Sequence, residues 1–196
     1  MISEHFYNYL KMKDNRIVYI IDGPDGTGKS TLGKKLSEMF RIPIYHLTYF
    51  KDSKMHAAQF EKALELLRNS DTGFILDRYI FSEKVYSDVY RGGKYISIYD
   101  DCIKAIGYSN ANVILTVPED RERYKKMFDK LYEERQEMYS PEKIMSVYDG
   151  YNALLNKKWN FNVTRFDLFD IIDNESRNKT FEFDTTEEKY IVKDYE

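Results

Sequence analysis

The strongest constraint on the fold is a glycine-rich run between an apolar segment and a segment of helical spacing. The apolar segment covers 17–21, and apolar residues recur at three- and four-residue intervals over 32–40. The run between them matches G-x-x-x-x-G-K-S and consists of Gly23, Pro24, Asp25, Gly26, Thr27, Gly28, Lys29, Ser30 and Thr31. Strand, glycine-rich turn and helix in this order indicate a P-loop rather than a chance match.

Each residue type in this run suits the binding of phosphates. Glycines allow backbone N–H groups to wrap the phosphates of a nucleotide at the positive end of a helix. Lys29 would reach the outer phosphates, and the Ser30 hydroxyl is placed to bind Mg²⁺. We therefore predict that the run, Pro24 apart, binds a nucleoside triphosphate.

The composition argues against several other classes of protein. At 196 residues the chain can bury a sizeable core, and we treat 1–196 as a single domain. Thirty basic and 33 acidic residues give a net charge of −3, which argues against nucleic acid as a partner. One cysteine, Cys102, cannot form an internal disulfide, so a cytoplasmic location is expected. No apolar run approaches membrane-spanning length and the first residues do not resemble a signal peptide, so no membrane partner is expected.

Apolar runs and helical spacings alternate along the chain. We predict five main strands, at 17–22, 42–46, 74–76, 113–117 and 161–169. A short helix over 2–12 and an edge strand at 181–183 are also predicted. The alternation favours a doubly wound α/β fold with a parallel sheet, in which ligands bind at the carboxyl ends of the strands. The P-loop and Asp77, which follows the third strand, can therefore share one site.

A second run, from Asp77 to Gly92, carries further chemistry. A carboxylate at a strand end beside a P-loop can hold Mg²⁺ or its water ligands, so Ser30 and Asp77 are the candidate metal ligands. An adjacent arginine, Arg78, can hold a second phosphate with its planar fork, although an isolated Asp-Arg pair is as readily a surface ion pair. The run reads D-R-Y-x-x-S-x-x-x-Y-x-x-x-x-R-G and also contains Ser82, Tyr86 and Arg91.

Together with the P-loop, this run resembles the thymidylate kinases over roughly 17–160. The resemblance implies a P-loop NTPase of the nucleoside monophosphate kinase type, with strand order 2-3-1-4-5, a helical lid, and ATP and Mg²⁺ as cofactors. It implies phosphoryl transfer to a deoxynucleoside monophosphate, and it leaves a homodimer open. By this likeness Asp25 would hold the acceptor's 3′-hydroxyl, Arg78 its phosphate, and Tyr86 its deoxyribose, where it can exclude a 2′-hydroxyl. Ser82, Arg91 and Phe60 are further candidates for the acceptor site.

The densely charged stretch at about 120–138 is the predicted lid. The resemblance places the start of the lid near Pro118-Glu119 and makes Arg123 and Arg135 candidate catalytic residues beside Lys29 and Arg78. The P-loop has no basic residue between Gly23 and Gly28. In this family, that absence usually means that the lid supplies the extra arginine. A charged run is more often a solvated helix face, and that alternative stays open.

Recognition of the base departs from the pattern of the family. Thymidylate kinases usually have an R-E-P-like stretch after the second strand, where this chain has 46–50. Their arginine that reads the thymine edge has no clear counterpart over 51–60, and their glutamine after the tyrosine is replaced by Ser87. Candidate pocket residues, each of which also suits the core, are Phe50, Gln59, Phe60 and Phe81. We predict a pyrimidine deoxynucleoside monophosphate such as dTMP as the acceptor.

Three alternatives remain on sequence grounds. A deoxynucleoside kinase would act one phosphorylation step earlier, although its relatives tend to carry E-R-S where this chain has D-R-Y. A kinase for a modified deoxynucleotide would account for the altered pocket residues. A nucleotide-binding switch protein would leave the second run unexplained, and the sequence shows no N-K-x-D-type guanine motif.

Overall fold

The computed structural model describes residues 16–135, 140–175, 180–184 and 189–193, and the helix predicted over 2–12 lies outside these ranges. Its main sheet has five strands, β1 (Val18–Asp22), β2 (Ile44–His46), β3 (Phe74–Asp77), β4 (Asn112–Leu115) and β5 (Val163–Arg165). The strand order is β2-β3-β1-β4-β5 and all four pairings are parallel. Both the fold class and the strand order predicted from the sequence are confirmed.

Helices connect and cover the strands in the described part of the chain. They are α1 (Lys29–Phe40), α2 (Ser53–Asn69), α3 (Ile80–Tyr90), α4 (Tyr99–Tyr108), α5 (Arg121–Arg135), α6 (Pro141–Leu155) and α7 (Leu168–Glu175). The start of α2 is set by Asp52, whose carboxylate accepts two backbone N–H groups at 2.9 Å, and α6 has proline in its first turn. None of the helices described is both long and apolar enough to cross a bilayer.

The central position of β1 explains its unbroken apolar run. All five of its residues are buried, because helices cover both faces of the sheet. Val18 and Ile20 pack into the larger core, which includes residues of α2, α3 and α6. Tyr19 and Ile21 point to the opposite face and pack against α1. The sheet thus holds the P-loop, which follows β1, between two layers of helices.

One prediction for the C-terminal part of the chain is wrong, and another is confirmed only in part. The strand predicted over 161–169 ends at Arg165, because Asp167 accepts the backbone N–H of Phe169 at 2.8 Å and so caps the start of α7. The segment 181–183 does lie in a strand, β6 (Thr180–Asp184). That strand pairs antiparallel with β7 (Lys189–Lys193) in a separate two-stranded sheet and does not extend the main one.

Candidate active site

The P-loop packs closely against the chain segment that follows β4. Gly23 has a φ of 152°, and a Cβ there would lie 2.3 Å from Thr116 Oγ1, so the position requires glycine. Gly26 and Gly28 also have positive φ, at 79° and 83°. The Thr27 hydroxyl donates to the carbonyl of Pro24 at 2.8 Å and lies 2.7 Å from the Thr116 hydroxyl. These contacts fix the loop at the N-terminus of α1, where a phosphate would bind.

Lys29 is buried under the loop. Its Nζ donates to the carbonyl of Pro24 and lies 3.8 Å from Asp25 Oδ1. Burial lowers the pKa of Lys29 to about 8, an effect that the negative charge of Asp25 opposes. A bound triphosphate would bring further negative charge to this position and so keep the Lys29 ammonium protonated.

One carboxylate oxygen at the end of β3 is available for a metal ion. Asp77 Oδ2 accepts from the Ser30 hydroxyl at 3.3 Å and lies 2.9 Å from His46 Nδ1. Asp77 Oδ1 is buried and has no hydrogen-bond partner among the described residues. A buried carboxylate oxygen beside a hydroxyl fits Mg²⁺, which prefers oxygen ligands and completes its octahedron with water and phosphate. The two predicted metal ligands therefore lie together, with His46 as a further neighbour.

Asp25 joins the two sequence motifs. Arg78 Nη2 donates to Asp25 Oδ1 at 2.7 Å, and the Tyr86 hydroxyl donates to Asp25 Oδ2 at 3.0 Å. Arg78 has a φ of 70°, which is uncommon for a residue other than glycine and typical of functional sites. Its Nε is buried and has no hydrogen-bond partner in the described part of the chain. The structure thus brings together the three residues predicted for the acceptor's phosphate and sugar.

Asp22 anchors both motifs, and the sequence analysis missed it. Its fully buried carboxylate accepts five hydrogen bonds, from the backbone N–H groups of Gly23, Tyr79 and Ser82 and from the hydroxyls of Ser82 and Tyr151. Burial raises the pKa of Asp22, while these donors oppose the rise. Asp22 is the last residue of β1, and its bonds to the backbone of Tyr79 and Ser82 cap the start of α3. Because Arg78 directly precedes Tyr79, these bonds also position Arg78. The Ser82 hydroxyl, predicted for the acceptor, is used to hold Asp22.

A cavity of about 470 Å³ opens beside Arg78. Its wall comes from the segment after β2 and from α2, α3 and the turns that flank α3, and consists of Leu47, Thr48, Tyr49, Lys51, His56, Phe60, Arg78, Tyr79, Ser82, Glu83, Tyr86, Tyr90 and Arg91. Phe60 lines the cavity as predicted. The amide of Gln59 instead bonds both backbone groups of Thr48, and Phe81 is buried against Trp159. The cavity is large enough for a nucleotide and is our candidate acceptor site.

A second polar cluster in the cavity wall was not predicted from the sequence. Glu83 is buried, and its Oε2 lies 2.7 Å from Arg91 Nη2 and 3.0 Å from His56 Nε2. Burial would raise the pKa of Glu83, but hydrogen bonds from His56 and Arg91 hold it below its ordinary value. Arg91, a predicted acceptor residue, therefore lines the cavity while paired with a carboxylate. We call these three residues the Glu83 cluster.

The sign of this pKa shift gives a prediction about stability. Because the pKa is lower in the folded chain than the ordinary 4.5, ionised Glu83 stabilises the fold above that pH, and the contribution is lost as the pH falls below it. We expect Glu83→Gln to lower the free energy of unfolding by about 1–3 kcal/mol at neutral pH, and by less in acid. Urea unfolding near pH 7 and near pH 4 measures both values. The control is Glu65→Gln, which removes an exposed pair with Lys62, and an equal loss at both pH values would contradict the prediction.

Helix α5 carries most of the predicted lid, and its N-terminal half is packed on the P-loop. Tyr124 is fully buried, and its hydroxyl donates to the carbonyl of Asp25 at 2.7 Å. The side chains of Met127 and Leu131 lie against Gly26. The apolar side of α5 therefore packs on the P-loop, while charged residues such as Lys126 and Lys130 are exposed, as the solvated-face alternative expects.

The structure places one of the two predicted lid arginines, Arg123, away from the cavity. The guanidinium of Arg123 lies 4.1 Å from the centroid of the Phe169 ring on α7. Arg135 is the last residue of α5, and its side chain, like residues 136–138 of the predicted lid, lies outside the described part. Lid mobility and the catalytic roles of Arg123 and Arg135 stay predictions.

Comparison with known proteins supports the fold assignment. No family model and no curated protein matches the sequence. Among solved structures, YorR from Bacillus subtilis in complex with phosphorylated GDP is 20% identical with a TM-score of 0.58, over 82% of this chain and 98% of that one. Deoxyadenosine kinase from M. mycoides with dCMP and dCDP is 16% identical with a TM-score of 0.55, over 83% and 100%. The same kinase with dATP gives 14% and 0.56, over 82% and 100%. The chain therefore has the P-loop kinase fold that its two motifs predict.

Proposed function

We propose that the protein transfers the terminal phosphoryl group of ATP to a deoxynucleoside monophosphate. The observation that carries the proposal is the position of Arg78 between the P-loop and the cavity. Its guanidinium is held by Asp25 at 2.7 Å, and its buried Nε still has a hydrogen to donate. An arginine in this place is best explained if the incoming group already carries a phosphate, since a guanidinium matches phosphate oxygens with two parallel bonds.

The sugar of the acceptor would lie against Asp25 and Tyr86. The carboxylate of Asp25 is partly exposed and can accept a hydrogen bond from a 3′-hydroxyl in addition to its protein contacts. The Tyr86 hydroxyl is tied to the same carboxylate at 3.0 Å, which fixes its ring in the cavity wall. A fixed ring beside the sugar would crowd a 2′-hydroxyl and favour deoxyribose.

The catalytic contribution of the chain would be positioning and charge. An oxygen of the acceptor phosphate attacks the terminal phosphorus of ATP. The bond from that phosphorus to the bridging oxygen breaks, and ADP leaves. Lys29 on the donor side would stabilise the charge that spreads over the transferred group, and Arg78 would hold the acceptor phosphate in line with it. Mg²⁺ held by Ser30 and Asp77 would supply further positive charge to the donor phosphates. An anionic acceptor requires no base to remove a proton.

A deoxynucleoside kinase is the second candidate, supported by the similarity in fold to deoxyadenosine kinase. Its acceptor is a 5′-hydroxyl, which calls for a carboxylate base. Asp22 does not suit this role, because it is fully buried and accepts five hydrogen bonds. The oxygen of Asp77 that has no described hydrogen-bond partner is the candidate base that this alternative retains.

The two candidate functions predict different acceptors for the phosphoryl group, and phosphorylation of an acceptor is measured as release of ADP from ATP. We expect dTMP, dUMP, dCMP, dGMP and dAMP to include the best acceptor, with kcat/KM at least about tenfold above that of every deoxynucleoside, because Arg78 would contact only the phosphorylated form. A coupled assay of ADP release over the ten acceptors measures this. A deoxynucleoside that outperforms all monophosphates would replace the proposal by the second candidate. Failure of all ten would leave the kinase for a modified deoxynucleotide.

A further inference from the structure

The hydrogen-bond roles in the Glu83 cluster can be assigned from its neighbours. The amide of Gln59 is oriented by the backbone N–H of Thr48, which donates to Gln59 Oε1 at 3.0 Å. Gln59 Nε2 is therefore a donor, and it lies 3.1 Å from His56 Nδ1. The backbone N–H of Phe50 faces the same nitrogen at 3.5 Å. With two donors facing it, His56 Nδ1 is the acceptor of the ring, so the proton is on Nε2 and is donated to Glu83 Oε2.

This assignment leaves N–H groups of Arg91 available to a ligand. Arg91 Nη2 donates to Oε2 and to the carbonyl of Glu83, at 2.7 and 3.3 Å. Arg91 Nη1 lies 3.4 Å from His56 Nε2, but that nitrogen carries a proton and cannot accept. Nη1 therefore has no acceptor among the described residues. The ring of Tyr49, whose centroid is 5.2 Å from the guanidinium carbon, helps to hold Arg91 in the cavity wall.

The same cluster has no acceptor left to offer. Glu83 Oε1 is approached by the backbone N–H of Ile96 at 3.2 Å and by the Ser87 hydroxyl at 3.4 Å. Glu83 Oε2 is occupied by His56 and Arg91. Each oxygen already has two protein donors, and only 1% of the Glu83 side chain is exposed. The cluster therefore presents hydrogen-bond donors to the cavity and would leave a donor on the ligand unsatisfied.

We propose that Arg91 reads the base of the acceptor, and that the protein prefers bases with a carbonyl group over bases with an amino group at the position farthest from the sugar. The inference rests on the proposed function and deepens it. With the phosphate at Arg78 and the sugar at Asp25 and Tyr86, the base is the part left to face the Glu83 cluster. Thymine and guanine present an acceptor oxygen at positions 4 and 6, whereas cytosine and adenine present an amino donor there. His56 and Glu83 are positioning residues, because they act by holding Arg91.

Two pairs of acceptors that differ at this one position isolate the effect. They are dUMP with dCMP, and deoxyinosine monophosphate with dAMP. We expect kcat/KM to favour the carbonyl member of each pair by about 10- to 100-fold, because an amino group facing Arg91 leaves two donors unsatisfied. A ratio at or below one in the wild-type protein would overturn the inference without any variant.

Arg91→Gln tests whether Arg91 is the residue responsible. The glutamine amide can donate or accept, so the ratio within each pair is expected to fall to within about threefold of one. Arg68→Gln is the control, because Arg68 is exposed on the same helix as His56 and lies outside the cavity. A merely structural role would lower both members of a pair equally and leave the ratio unchanged, which would contradict the assignment to Arg91. Thermal unfolding shows whether the variant is folded; if it is not, Arg91→Lys is measured instead and is expected to retain a carbonyl preference.

The experiment also separates this inference from the proposed function. If monophosphates are phosphorylated with equal efficiency within both pairs, the proposed function stands and the inference about the base is wrong. If only deoxynucleosides are phosphorylated, the proposed function is wrong, and deoxyuridine compared with deoxycytidine decides the inference. A preference for deoxyuridine of tenfold or more would support it, and equal efficiency would overturn it.

Discussion

Replacing Lys29 with alanine is expected to lower kcat by at least about a hundredfold. The side chain is buried, with its ammonium on the carbonyl of Pro24 and near Asp25, in the place where the outer phosphates of a nucleotide would lie. A fixed cation there stabilises charge on the transferred group, and loss of one such interaction typically costs a factor of 10² to 10³. The measurement is ADP release under saturating ATP and the best acceptor.

A matched control separates the loss of charge at the site from a general change in charge. Lys34 lies on the same helix, is exposed, and makes a surface pair with Glu38 at 3.9 Å. Lys34→Ala removes the same chemical group and should change kcat by less than about twofold, since surface pairs contribute little. Circular dichroism and thermal unfolding establish that both variants are folded. Turnover near the wild-type value in folded Lys29→Ala would remove this loop from the mechanism.

The parts predicted well from the sequence are those encoded by local spacing. The P-loop requires a strand before it and a helix after it, and both are present around Gly23 and Lys29. The D-R-Y run directly follows a buried strand, so its position beside the P-loop follows from the rules for parallel sheets. The family resemblance assigns Asp25, Arg78 and Tyr86 to one acceptor, and the structure brings their side chains into contact.

The parts that were missed depend on contacts between residues far apart in the chain. Asp22 and Tyr151 are 129 positions apart, and no local pattern links a strand-terminal aspartate to a tyrosine of α6. The one available signal was an aspartate ending an otherwise apolar buried strand, since a charge there needs several donors around it. His56 and Glu83 are 27 positions apart on two helices, and no local pattern links them either.

Helix α7 was missed for a different reason. Apolar and polar residues are interspersed over 161–169, so a longer strand was predicted. The helical signal is the capping aspartate, Asp167, followed by apolar residues at 168, 169, 171 and 172. Over these few residues the spacing fits both a strand and a helix. The capping hydrogen bond accepted by Asp167 selects the helix, and that bond is visible only in the structure.

Replacing Arg78 with alanine is expected to lower kcat/KM for the best monophosphate by about a hundredfold. That factor corresponds to about 2.7 kcal/mol, within the range for charge-assisted hydrogen bonds to a phosphate. The backbone should tolerate the change, because alanine at the φ of 70° is strained no more than arginine is. Asp25 keeps the Tyr86 hydroxyl and the nearby Lys29 ammonium as partners. The loss should therefore report on the acceptor phosphate rather than on collapse of the site.

The deoxynucleoside that corresponds to the best acceptor provides the internal control, since it lacks the phosphate that Arg78 would bind. Its low kcat/KM should change by less than about threefold in Arg78→Ala, so that the discrimination between the two acceptors nearly disappears. Arg78→Lys keeps the positive charge but not the planar fork, and we expect it to recover only part of the lost efficiency. Unchanged efficiency of Arg78→Ala on the monophosphate would show that Arg78 serves only to hold Asp25. An equal loss for both acceptors would assign it to a step that the monophosphate and the nucleoside share, and in either case the argument for a phosphorylated acceptor would fail.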